Sequence, residues 1–212
     1  MEELTISAHE CSVDLDSLSR RKGETVEDRI VDYFSKHGWR GVAVEGSFIN
    51  LALKCVAHPK VKPRHNSFHA GADSVFLQPK GAPNSASLFS LEDLHFNTCE
   101  TTIDDALATY DALSPASGFR SVSFDSRIDR DSIEHFLLYH RQFLIELTSL
   151  MFVQYRLPTF AGFPDVTLWD KEQVWLIEVK TPSDRLRGSQ KQFFRKLAPY
   201  LPCRTSILHV VQ

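Results

Sequence analysis

Near the C-terminal end of the 212-residue chain stands Pro164-Asp165, and thirteen positions after that aspartate comes Glu178-Val179-Lys180. In a β-strand successive side chains alternate faces, so Glu178 and Lys180 project together while Val179 points to the opposite side. Pro164–Trp169 and Gln173–Lys180 are β-rich runs joined by the turn-like Asp170-Lys171-Glu172, a hairpin signature that can bring Asp165 to Glu178. Two carboxylates and an ammonium at one spot suit phosphodiester hydrolysis. Carboxylates are hard oxygen ligands for Mg²⁺ or Mn²⁺, which keep waters and take a substrate phosphate beside them. The metal acidifies its water, and a lysine positions that water or offsets developing charge. A bland alternative is an exposed Glu-x-Lys ion pair worth under about 1 kcal/mol. Leu176, Ile177 and Val179 speak against it, because they imply a largely buried strand where charges need partners or a metal.

The elements that must hold this group are legible in pieces. After a polar leader, Thr25 can cap a helix whose stripe is Val26, Ile30, Val31 and Phe34 and which Gly38 ends. A second helix follows Gly46, carrying Phe48, Ile49, Leu51, Ala52, Leu53 and Val56, with Glu45 at or just before its start. Residues 59–130 are rich in Ser, Pro, Gly and Asn, with weak periodicity in Ser90–Leu94 and Thr102–Leu107. A long helix is expected over 131–152, with Ile133, Phe136, Leu137, His140, Phe143, Leu144, Leu147 and Leu150 at core spacing. Beyond the hairpin, Pro182 stops the second strand, a helix spans 187–197, and Thr205–Val211 reads as a closing strand. Strands and helices together predict a mixed α/β core.

The stretch Ala161-Gly162-Phe163-Pro164-Asp165-Val166, followed by Ile177-Glu178-Val179-Lys180-Thr181-Pro182-Ser183-Asp184-Arg185-Leu186 and Gln190, resembles the VRR-NUC domain. This is a branch of the PD-(D/E)XK superfamily. Val26-Glu27, Gly38-Trp39 and Gly41-Val42-Ala43-Val44-Glu45-Gly46 are similar to the corresponding pieces of the nuclease domain of the Fanconi-associated nuclease type. The likeness runs over roughly residues 26–50 and 131–212. Ala43-Val44 stands where that type has a His-Cys-like pair, Leu51–Val56 where it has aromatics, and Thr181 where it has glycine.

The resemblance implies one domain over 1–212 with a divergent insert at about 59–130, built on a restriction-endonuclease-like core with a mixed central sheet flanked by helices. It implies Asp165, Glu178, Lys180 and Glu45 as catalytic residues, with Glu45 as a third metal carboxylate and the Val179 carbonyl as a further ligand of Mg²⁺ or Mn²⁺. Arg185 and Gln190 could contact the scissile phosphate or fix the Lys180 ammonium; Lys191, Arg195 and Lys196 extend a phosphate-facing surface. Capping by Asp184 and solvation of Arg185 are the plainer alternatives. The expected activity is a metal-dependent deoxyribonuclease selective for flapped, splayed or branched DNA in repair. Two other readings stay open: a nuclease toxin delivered into competitors by a dedicated secretion machine, with a protein inhibitor as partner, and a catalytically retired DNA-binding module. Many stand-alone nucleases of the superfamily pair, so a homodimer is expected.

Composition sets the outer limits. The chain is 42% hydrophobic and 24% charged, with no apolar run of the length a membrane helix needs. The N-terminus is acidic and lacks the apolar core of a secretory signal, so the expected location is inside the cell, in cytoplasm or nucleus. Cys11, Cys55, Cys99 and Cys203 are widely spaced and suit a reducing compartment. A net charge of −3 argues against coating nucleic acid by charge alone, yet Lys171–Arg204 carries eight basic side chains against three acidic ones. Such a run suits a phosphate-bearing partner or simply a solvated helix. Cys55, His58, His65 and His69 have loosely zinc-like spacing without a second cysteine pair, and a zinc-stabilised interaction domain built on them is a third reading.

Overall fold

The computed structural model describes residues 9–14, 23–57, 99–114, 125–154 and 162–211. The chain divides into two compact units, Met1–Gly46 with Ala161–Gln212, and Ser47–Phe160.

The first unit is built on a five-stranded sheet in the order β1-β5-β4-β3-β2. Its strands are β1 (His9–Asp14), β2 (Arg40–Val42), β3 (Val166–Trp169), β4 (Val174–Lys180) and β5 (Arg204–Val211). The expected hairpin is present: β3 and β4 pair antiparallel, Val166 against Ile177 through Trp169 against Val174. Asp170 closes it, its Oδ1 accepting from Glu172 N–H and Gln173 N–H, an Asx-type turn that needs no glycine. β2 is antiparallel to β3, whereas β5 lies parallel to β4 and β1 parallel to β5, so the sheet is mixed. β1 corrects the polar-leader reading of the N-terminus. His-Glu-Cys-Ser-Val-Asp shows little apolar patterning because an edge strand can be held by backbone pairing to β5 along one side.

α1 (Val26–Ser35) forms where expected. Thr25 Oγ1 accepts from Asp28 N–H and the Asp28 carboxylate accepts from Thr25 N–H, a reciprocal capping box, and Gly38 at φ +86 turns the chain out of the helix. Ile30 from its apolar stripe joins Val166, Leu168, Trp175, Ile177, Val179, Leu208 and Val210 in a core on one sheet face, with Val26, Val31, Phe34 and Trp39 packed against it. The odd-numbered residues of β4 thus enter that core. Leu176, Glu178 and Lys180 project to the other face, and all seven residues of β4 are buried.

The second unit is helical in its described part. α2 (Ser47–Ala57) buries Phe48, Ile49, Leu51, Ala52, Leu53, Cys55 and Val56. α3 (Ile103–Leu113) starts at the cap Thr102, inside the stretch expected as an insert, and the weak Thr102–Leu107 periodicity was its first turn. α4 (Arg130–Thr148) is capped by Asp129 and kinks at His140, where φ −126 and ψ 23 leave the helical region. A π-helical turn over Ser149–Gln154 completes the long helix expected there. Of its predicted core positions Ile133, Phe136, Leu137, His140, Phe143, Leu144 and Leu147 are buried, while Leu150 is only partly so. Phe48 and Phe136 meet edge to face at 5.0 Å. Ser90–Leu94 lies outside the described residues. No described helix is long and apolar enough to cross a membrane.

Candidate active site

α5 (Gly188–Lys196), which follows β4, turns Phe193 and Phe194 inward and carries Gln190 to the face of β4 that bears Glu178. The structure brings together Asp165, Glu178, Lys180 and Gln190. Glu178 is fully buried and Lys180 nearly so, 0% and 7% exposed. Glu178 Oε1 accepts from the Lys180 ammonium and from the Gln190 amide. Its Oε2 is buried with no hydrogen-bond partner. Burial pushes the Glu178 carboxyl up from 4.5 to about 8; the charge of nearby Asp165 adds to the rise and the Lys180 ammonium opposes it.

Asp165 is anchored at the mouth of the hairpin. One carboxylate oxygen, Oδ2, accepts from Val179 N–H at 3.0 Å, and its main-chain carbonyl accepts from Glu45 N–H at 3.0 Å. Register adds a detail at Val179. The β3–β4 ladder ends at Val166 against Ile177; its register carried two steps further would set Asp165 against Glu178 and Pro164 against Val179, but Asp165 already stands in a bend. Proline has no N–H, so it offers the Val179 carbonyl no ladder donor.

Glu45 is not gathered with them. Among the described residues there is no cluster of three or more His, Cys, Asp or Glu side chains fit to hold a metal ion. Glu45 is exposed and reaches the site through its backbone, at φ +52, a left-handed conformation that costs a non-glycine residue about 1 kcal/mol or more. Strain of that kind concentrates at functional positions.

Gln190, expected at a substrate phosphate or on the Lys180 ammonium, stands between the Arg187 backbone and Glu178. It is 1% exposed, its Oε1 accepts from Arg187 N–H at 2.8 Å, and its Nε2 donates to Glu178. The signal for this was present in sequence: Gln190 sits at the third helical position, where a side chain folds back on the helix entry. Asp184 caps the turn after β4 rather than α5, accepting from both Thr181 N–H and Thr181 Oγ, which holds its carboxyl below the ordinary value. Arg185, Arg187, Lys191, Arg195 and Lys196 are exposed. Cys55 is buried inside α2 and Cys99 is exposed; His58, His65, His69 and His95 lie outside the described residues. Trp169 and Trp175 are core residues.

The two carboxylates fit a divalent cation chemically. Glu178 Oε2 is a buried acceptor without a donor, and Asp165, bonded to the neighbouring Val179 N–H, supplies a second carboxylate. Against known proteins, residues 145–212 match the VRR-NUC domain. The fold is of the PD-(D/E)XK type: two crystal structures of paFAN1, bound to 5′-flap DNA with a gap carrying a 2-nucleotide and a 1-nucleotide flap, match over 100% of this chain. Their TM-scores are 0.70 and 0.68 at 15% and 16% identity. The chain spans 39% of the length of those proteins. No curated protein matches its sequence.

Proposed function

We propose that the chain is a metal-dependent DNA nuclease that hydrolyses phosphodiesters in flapped or branched DNA during repair or processing. The observation that carries this reading is the convergence of Asp165, Glu178 and Lys180 at the mouth of the β3–β4 hairpin, with Glu178 Oε2 buried and unpartnered. Asp165, Glu178 and the Val179 carbonyl would hold Mg²⁺ or Mn²⁺, with Glu45 drawn in as a further ligand. When bound, the cation supplies an acidified water and charge stabilisation at the scissile phosphate.

The chain's own groups do the rest. Gln190 and Lys180 hold one oxygen of Glu178, which leaves the other for a cation to take. With a cation bound, Glu178 would be ionised, and Lys180 would have a charged partner on one side and keep its remaining protons for an attacking water or phosphoryl oxygen. Arg185 and Lys191, exposed beside this face, supply phosphate contacts. The VRR-NUC domain and the flap DNA held by paFAN1 support the substrate class.

Labelled duplex, 5′-flap, splayed-arm and four-way-junction DNA, incubated with Mg²⁺, Mn²⁺ or EDTA, test the reading. Cleavage that needs metal, prefers the flap, and disappears in Asp165→Ala and Lys180→Ala is expected. Folded protein that binds these substrates and cuts none with either metal would make it a binding module instead.

A further inference from the structure

We infer that Gly162 is a positioning residue for this reaction, acting through the first turn of α5 and Gln190 on the Glu178 carboxylate; the inference rests on the nuclease reading above. Gly162 stands two residues before Pro164, buried, at φ +84. A Cβ there would lie 2.4 Å from the carbonyl carbon of Ser189, 2.6 Å from its oxygen and 2.7 Å from Gln190 N. All three are backbone atoms, which cannot swing aside as a side chain would. The missing side chain lets the turn entering β3 lie backbone to backbone on the start of α5, and the positive φ independently favours glycine.

The next residue repeats the attachment one turn along: the rings of Phe163 and Phe193 are 4.8 Å apart. Residues 162 and 163 thus hold α5 at two points while leading straight into Pro164 and Asp165. Both carboxylates are set from one place, Asp165 by the chain and Glu178 by the helix. Gln190 transmits the setting because its amide has one orientation: Arg187 N–H requires the oxygen on its side, which leaves Nε2 for Glu178. Ordinary van der Waals separation for an added Cβ begins at 3.4 Å, so alanine at 162 must push α5 away by about 1 Å, a misplacement that can cost about 100-fold in rate.

The test is a double-mutant cycle on the full chain with Gly162→Ala, Gln190→Ala and both, reading single-turnover cleavage of 5′-flap DNA in Mn²⁺ and affinity for the same DNA in EDTA. Each single change should slow cleavage by roughly 30- to 100-fold and shift DNA affinity by less than about threefold. The double variant should be within about threefold of the slower single, because both changes act on one carboxylate. Multiplying losses, or unimpaired cleavage by Gly162→Ala, would overturn the inference. Should Gly162→Ala not fold, Gln190→Asn keeps the glycine and shortens the amide's reach; it must then show the same slow cleavage with intact DNA affinity, and parent-like cleavage overturns the inference. A parent that cuts nothing sinks the nuclease reading and the inference with it, whereas an active parent with a multiplicative cycle sinks the inference alone.

Discussion

Glu178 carries an electrostatic conflict that metal binding would resolve. Its pKa in the folded protein, raised to about 8, lies above the ordinary 4.5, so the folded state binds the proton more tightly than the unfolded chain does. The stability linked to this group is fully present below about 4.5 and is lost as pH rises through about 8. In EDTA, thermal unfolding should therefore move to lower temperature as pH is raised over that window. Glu178→Gln should flatten the profile, and saturating Mn²⁺ should reverse its slope at the alkaline end. An unchanged profile in the glutamine variant would mean that Glu178 is not the group responsible. Lys180→Met belongs to the same scale. It removes the ammonium but leaves a carboxyl that can stay protonated, so the fold should persist while single-turnover cleavage falls by at least about 100-fold.

At the level of elements, the hairpin is where sequence pattern and site chemistry meet. Two positions beyond the β3–β4 ladder Pro164 faces Val179 in register, and having no N–H it can give the Val179 carbonyl no ladder bond. Pro164→Ala supplies an N–H there, so Mn²⁺ affinity, read by calorimetric titration without DNA, should drop several-fold. Equal or tighter affinity would rule out the carbonyl as a ligand. α1 illustrates a purely structural element. Its capping box at Thr25 and Asp28 should be worth about 1 kcal/mol, so Thr25→Ala should lower the urea midpoint without changing the cleavage rate per folded molecule. A parallel loss of activity would show that α1 bears on the site and not only on the sheet face it covers.

For the molecule as a whole, overall charge and local charge lead to different expectations. The net charge of −3 forbids tight binding by bulk attraction, but the exposed Arg185, Arg187, Lys191, Arg195 and Lys196 gather positive charge on and beside α5. DNA affinity should therefore fall steeply with salt. Arg185→Ala and Lys191→Ala should each reduce the slope of log affinity against log salt by about one and weaken all DNA sequences alike. A slope unchanged by both would place the DNA on another surface.

The amino-acid sequence by itself determined the local elements and the chemistry of the central strand. Alternation in Val174–Lys180, the Asp170 turn and the Thr25 cap are short-range properties, decided by side-chain period and backbone hydrogen bonding within a few residues. What the tertiary structure decided were long-range facts. β1 is held by pairing with residues almost 200 positions away, to which no local pattern points. The middle of the chain divides off with α2, α3 and α4 into a compact unit of its own, because even a helix of weak periodicity such as α3 can bury its apolar face against its neighbours. Gln190 faces Glu178 rather than solvent because α5 is seated on Gly162, a backbone contact that has no side-chain signature in sequence. Motif spacing names the groups that can meet; which of their atoms are free, bonded or buried follows only once the strands and helix that carry them are packed.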